Sequence, residues 1–179
     1  MKKVLVVIDA QNDFIDGSLR NEEAIKAVPG IVEKINSFSG DAIFMTQDTH
    51  QDNYLDTPEG KKLPVIHCVK GTQGWDINPQ VKSALDLAKQ RGINVTLIEK
   101  PTFGSYELVD SLKALGDNLD IQYVGFCTDI CVVSNVLLAK AAFYDVAKLS
   151  VDSSCCAGVT PESHQAALQT MQMCQVDIL

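Results

Sequence analysis

The chemically most reactive residues of this 179-residue chain are a thiol, a carboxylate and an amine that could act together. Cys131 follows Thr128 and Asp129, either of which can cap the apolar helical stretch that begins beside it. A thiol in a first helical turn feels the positive end of the helix dipole and ionises more readily, which suits nucleophilic attack. A small buried cysteine is the competing reading of that residue. Asp9 ends the apolar run Val4–Ile8 and could accept a proton, although an Asp in that place also serves to cap a turn. Lys100, beside Pro101, could hold both partners anionic or be a solvated surface charge.

A second constellation lies between positions 47 and 79. Asp48 and His50 form an Asp-x-His pair, and Glu59 and His67 follow in the same polar, irregular stretch. Imidazole and carboxylate donors suit zinc, iron or manganese; two surface histidines on a polar loop are the alternative. The chain has three histidines, and the remaining one, His164, is expected at the surface of the last helix. Phe14, Trp75, Phe103 and Tyr106 lie near these groups in sequence and could cage a flat ring, or simply pack.

These residues need elements to position them. Apolar runs of strand length occur at Val4–Ile8, Ala42–Thr46, Val95–Ile98, Ile121–Phe126 and Val146–Val151, with a weaker one at Val176–Leu179. Helical spacing links Ile25, Val28, Ile31, Val32 and Ile35, where Pro29 predicts a kink or a late start. Further helices are predicted around Val81–Ala88 (ending at Gly92), Leu108–Leu115 (ending at Gly116), Val132–Phe143 and from Thr160-Pro161-Glu162 onward. The stretch Val132–Phe143 is apolar nearly all round and is expected to be buried. Alternating strands and helices predict a parallel sheet covered on both faces, a three-layer α/β/α sandwich in one domain spanning 1–179. Ligands of such sheets bind beyond the carboxyl ends of the strands. Asp9, Asp48 with His50, Lys100 and the Cys127–Cys131 pair all follow strands, so all should meet on one rim.

Composition narrows the function classes. A formal net charge of −8 disfavours nucleic acid and anionic membrane surfaces as partners. The five-residue apolar run after Met1-Lys2-Lys3 is too short for a signal peptide or a span, so a cytoplasmic protein with six reduced cysteines is expected. No repeated CxxC pair suggests a zinc ribbon or a thioredoxin site. Adjacent Cys155 and Cys156 could suggest a redox protein, but neighbouring cysteines rarely bridge without strain, and both are expected in a helix-start loop.

Four motifs in order resemble the isochorismatase-like cysteine hydrolases, and among them the nicotinamidases. They are Asp9-Ala10-Gln11-Asn12-Asp13-Phe14; Asp48-Thr49-His50 with Leu63 to Val69 and Gly71-Thr72; Lys100-Pro101-Thr102-Phe103-Gly104-Ser105; and Gly125-Phe126-Cys127-Thr128-Asp129-Ile130-Cys131-Val132. The resemblance spans nearly the whole chain and implies a six-stranded parallel sheet with Asp9, Lys100 and Cys131 as a catalytic triad. It implies one divalent metal, zinc first with iron or manganese as alternatives, on Asp48, His50 and His67, with Glu59 as a fourth ligand. It also implies a cis peptide before Cys127 that aims the N–H groups of Cys127 and Cys131 at an oxyanion. Isochorismate-cleaving members lack the cysteine, and carbamoyl- or ureido-cleaving relatives generally lack the metal pair. The implied activity is therefore conversion of nicotinamide to nicotinate and ammonia through a thioester, a step of NAD salvage. Hydrolysis of another small amide, or a non-catalytic binding role, are the alternatives. The expected partner is a small-molecule amide, and assembly into a homo-oligomer is left open.

Overall fold

The computed structural model describes the whole chain, Met1–Leu179. Six strands, β1 (Lys2–Ile8), β2 (Ala42–Asp48), β3 (Asn94–Lys100), β4 (Leu119–Phe126), β5 (Lys148–Ala157) and β6 (Asp177–Ile178), form one sheet in the order β3-β2-β1-β4-β5-β6. Every pairing is parallel. The central strands β1 and β2 are buried on both faces, which is why they read as continuous apolar runs rather than alternating ones. Seven helices complete the chain: α1 (Asn12–Ile15), α2 (Glu22–Ser37), α3 (Pro58–Lys62), α4 (Pro79–Gln90), α5 (Tyr106–Ala114), α6 (Val133–Phe143) and α7 (Pro161–Met173).

The period-two alternation of β1 divides the core. Leu5 and Val7 pack under α2 and α4, with Ile31, Ile35, Val81 and Leu85. Val4, Val6 and Ile8 face the other way, toward α5, α6 and α7, with Leu112, Val136 and Met171. This is the expected three-layer sandwich. From β1 the chain builds β2 and β3 on one side, then crosses back to β4 on the other. The switch point is therefore the crevice beyond the carboxyl ends of β1 and β4, where an open α/β sheet places its ligand. No helix is long and apolar enough to cross a membrane.

The structure departs from the sequence-based expectations in four places. Helix α2 starts at Glu22, capped by the Asn21 side chain, and runs through Pro29. Pro29 lies on the exposed face, where the Ile25 carbonyl it deprives of a donor can turn to water. Strand β5 continues past Val151 through polar Asp152-Ser153-Ser154 to Ala157, with a register shift opposite Tyr123–Gly125. Cys155 and Cys156 thus sit in a strand, not in a helix-start loop. They face opposite sides of the sheet, one in each core, and all six cysteines are free. Helix α6 buries one face only, through Asn135, Val136, Ala139 and Phe143, because it lies on the sheet instead of within a bundle.

Candidate active site

The carboxyl edge of the sheet gathers the reactive residues. Asp9 follows β1 with φ +46°, a left-handed conformation that Asp tolerates better than most side chains. Its backbone N–H donates to the Thr46 carbonyl (3.2 Å), and its Oδ1 accepts the Thr46 hydroxyl (2.7 Å). Gly125 pairs with Ile8 in the neighbouring strand at φ +117°; a Cβ there would strike the Ile8 backbone. Lys100 ends β3 and is 1% exposed. Its flexible stem carries Nζ over the end of β2 to Asp9 Oδ2 (2.7 Å), Cys131 Sγ (3.5 Å) and Asp48 Oδ1 (3.7 Å), and Nζ also donates to the Thr102 carbonyl (3.0 Å). The neighbouring Glu99 points the other way, as strand alternation requires, and pairs with Lys70 at the surface.

Cys131 lies in a π-helical turn, Thr128–Val132, that leads into α6 after a cis peptide between Phe126 and Cys127. Its place in the sequence predicts a helix dipole that favours the thiolate. The structure reverses that expectation for the resting protein. Burial, reinforced by the negative charge of Asp9, pushes the Cys131 thiol well above its ordinary value, and Lys100 offsets this only in part. Burial also raises the Asp9 carboxyl, against the lowering effect of Lys100. Lys100 would be lowered by burial, but Asp9, Cys131 and Asp48 outweigh it and hold the ammonium firmly charged. At rest the thiol is thus neutral, and the amine is an ammonium paired with Asp9. Asp9 Oδ2 touches Lys100 as an ion pair but receives no aligned hydrogen bond, so it keeps a lone pair available.

Beside this group, Asp48, His50 and His67 bring ligand atoms within 4.8 Å of one another, all buried. Asp48 Oδ2 is 3.0 Å from His50 Nε2 and 3.6 Å from His67 Nε2. Glu59, in the first turn of α3, lies 3.6 Å and 3.9 Å from the same two nitrogens. His67 Nδ1 meets the Val65 carbonyl at 2.8 Å, which places the proton on Nδ1 and leaves Nε2 a free lone pair. His50 Nε2 and Asp48 Oδ1 are buried without hydrogen-bond partners. Convergent imidazoles, two carboxylates and orphaned buried atoms are what a divalent cation needs, so these residues fit one. Backbone pairing holds the irregular stretch 47–79 in place around them. His50 bridges to Val69, and the His50 N–H donates to the Cys68 carbonyl (2.9 Å).

Three further residues matter here that the sequence alone does not single out. Gln11 is fully buried and grips the backbone of Asp48 from both sides. Its Oε1 accepts the Asp48 N–H (2.7 Å) and its Nε2 donates to the Asp48 carbonyl (2.9 Å). Asp13 accepts the N–H of Cys68, next to His67, at 2.8 Å. Tyr54 packs its buried ring 4.6 Å from that of His50 and 4.9 Å from that of His67. Gln11 and Asp13 are visible as polar residues of the first motif; nothing in the sequence marks Tyr54.

Both groups open on one cavity of about 480 Å³, lined in part by Phe14, Phe103, Cys127 and Cys131 together with Asp48 and His67. Two expected pocket aromatics are corrected. Trp75 turns its indole N–H to the Thr49 hydroxyl (2.9 Å) behind the metal-type cluster and does not line the cavity. Tyr106 opens α5 just after its cap, Ser105, and is 78% exposed. His164 is also not a free surface residue: its Nδ1 meets the buried Thr128 hydroxyl at 2.8 Å.

The isochorismatase domain family matches residues 3–179. An uncharacterized isochorismatase family protein, PncA, of Bacillus subtilis (strain 168) is 29% identical over 175 residues, covering 94% of this chain and 93% of the relative. The nicotinamidase/pyrazinamidase of Mycobacterium tuberculosis is 26% identical over 195 residues, covering 99% and 98%. Among solved structures, the nicotinamidase/pyrazinamidase PncA from Bacillus subtilis superposes with a TM-score of 0.85 at 25% identity, covering 99% of each chain. With the family's match running over nearly its full length, the chain belongs to the isochorismatase domain family.

Proposed function

We propose that this protein is a cysteine amidohydrolase that converts nicotinamide to nicotinate and ammonia. The observation that carries the reading is the contact of Lys100 Nζ with both Asp9 and Cys131 beside a buried Asp/His/His cluster, on one aromatic cavity. The similarity to proteins named nicotinamidase supports the substrate.

Asp9 takes the Cys131 proton as the sulfur bonds to the amide carbon. Its raised proton affinity suits a base that must accept from a buried thiol. Lys100 neutralises whichever of the two is anionic, so charge moves without leaving the site. The carbonyl oxygen gains the negative charge and is received by the backbone N–H groups of Cys127 and Cys131. Asp9 passes the proton to the departing nitrogen, ammonia leaves, and an acyl thioester remains on Cys131. Asp9 then takes a proton from water and the hydroxide adds to the thioester carbon; as the C–S bond breaks, Asp9 returns that proton to the sulfur, and the acid product leaves and ionises to nicotinate, its proton passing to ammonia. Asp48, His50 and His67, with Glu59, would hold the divalent metal, zinc being the best match to two imidazoles and carboxylates. When bound, such an ion supplies a Lewis acid for the lone pair of a ring nitrogen. Phe14 and Phe103 offer apolar walls for the ring itself.

Ammonia release from nicotinamide by the metal-loaded wild type, against Cys131→Ala, tests this. Turnover by the wild type and its loss by at least about 10³-fold in the variant are expected, the scale seen when an essential nucleophile is deleted. A metal-loaded wild type that releases no ammonia would refute the substrate assignment.

A further inference from the structure

We infer that Asn135 is a positioning residue that fixes the Cys131 turn against the loop that holds Lys100. This rests on the reading of Cys131 as the nucleophile. Asn135 lies in the first turn of α6 and is 1% exposed. Its amide makes three hydrogen bonds that reach beyond its own helix. Nδ2 donates to the Cys131 carbonyl (2.8 Å) and to the Phe103 carbonyl (3.0 Å), while Oδ1 accepts the Ser105 N–H (3.0 Å). One side chain thus joins the nucleophile's own peptide to both ends of Phe103-Gly104-Ser105.

That loop is not remote from the chemistry. It follows Thr102, whose carbonyl accepts Lys100 Nζ, and it carries Phe103, a wall of the cavity. Independent packing supports the clamp: a Cβ on Gly104 would lie 2.6 Å from Leu138 Cδ1, so the loop backbone rests directly on α6. The donor and acceptor pattern is specific to an amide. Two carbonyls face Nδ2 and one N–H faces Oδ1, so a carboxylate of nearly the same shape would satisfy only the N–H and repel both carbonyls. The sulfur and the ammonium sit on different elements, α6's lead-in turn and β3, and Asn135 is the side chain that couples them.

The test compares wild type with Asn135→Ala and Asn135→Asp in the metal-loaded protein. It reads kcat and KM for nicotinamide and, separately, the rate of Cys131 alkylation by iodoacetamide. A displacement of about 1 Å at the nucleophile costs on the order of 10²-fold, so kcat is expected to fall by that scale with KM changed only a few-fold, and more in Asn135→Asp. The alkylation rate should change in the same order while the circular dichroism spectrum and cooperative melt persist. Folded variants with wild-type kcat and alkylation rate would overturn the inference. So would losses that track only the unfolded fraction and vanish on cooling. Should neither variant fold, amide exchange at Ser105 in the wild type decides: strong protection of this loop N–H is expected, and exchange at the rate of an open loop would overturn the clamp. If the wild type fails to hydrolyse nicotinamide, the substrate reading falls, and the alkylation and exchange arms still decide the role of Asn135.

Discussion

At the residue scale, the site works by placing buried charges where they must be shared. Cys131, Asp9 and Lys100 are all nearly inaccessible, and the contact of Lys100 with the other two is what makes buried charge tolerable there. The metal-type cluster depends equally on a residue, Gln11, that holds Asp48 in place without offering a donor atom to the metal. Gln11→Leu would strip both backbone partners from Asp48 and leave the Trp75 carbonyl only the longer bond from Gln47 Nε2 (3.3 Å). We expect a loss of about 3 kcal/mol in stability from the unsatisfied groups, and a weakening of zinc binding by about 10- to 100-fold, as for outer-shell partners of metal ligands. Denaturant unfolding of the metal-free protein and competition with a chromophoric chelator measure the two effects separately. Unchanged zinc affinity would mean that Asp48 holds its orientation without Gln11.

At the scale of elements, the junction of β1 and β4 decides the geometry. Gly125, opposite Ile8, has no Cβ and takes φ +117°, which lets β4 lie against the Ile8 backbone just before Asp9 turns left-handed. Gly125→Ala would both force a side chain into the Ile8 backbone and impose a disfavoured φ. We expect a destabilisation of about 4 kcal/mol or more, at the severe end for single substitutions. A urea midpoint within the error of wild type would contradict this account of the strand crossing.

Which of these features are legible in the sequence follows from how each is encoded. Buried parallel strands announce themselves as apolar runs, so β1, β2 and β4 are readable, and with them the rim positions of Asp9, Asp48 and Cys131. The second half of β5 is not, because Asp152, Ser153 and Ser154 interrupt the run and only the register shift restores it. Pro29 misleads because helix start and helix passage look alike until the exposed face is known. Trp75 and Tyr106 mislead because nearness in sequence says nothing of side-chain direction, which Thr49 and the α5 cap set here. Asn135 contacts Ser105 across a long separation, and Tyr54 packs on both histidines from within an irregular stretch; no periodic pattern encodes either.

At the scale of the whole molecule, the helical layers must stay in register with the sheet for the rim to persist. One charged tie between them is Lys34 of α2 with Asp152 of β5, at 2.5 Å. Burial alone would raise the Asp152 carboxyl, but hydrogen bonds from Lys34 and Ser154 outweigh it and hold it below its ordinary value. A carboxylate whose affinity for protons is lowered by folding stabilises the native state above its unfolded pKa, and that contribution fades as pH falls through the folded one. Asp152→Asn should therefore cost about 1 kcal/mol near neutral pH, a difference that shrinks below about pH 4. Urea unfolding of both proteins from about pH 2.5 to about pH 7 checks the sign; a difference that grows on acidification would contradict the pairing.

The central claim is that Cys131 carries the acyl group. Rapid acid quench of the metal-loaded protein with nicotinamide, followed by peptide mass spectrometry, reads this directly. We expect a pyridine-carbonyl adduct on the peptide containing Cys131, absent in Cys131→Ala and lost when the quench is delayed past substrate exhaustion. Turnover of the amide with no such adduct, and with activity retained in Cys131→Ala, would contradict the account.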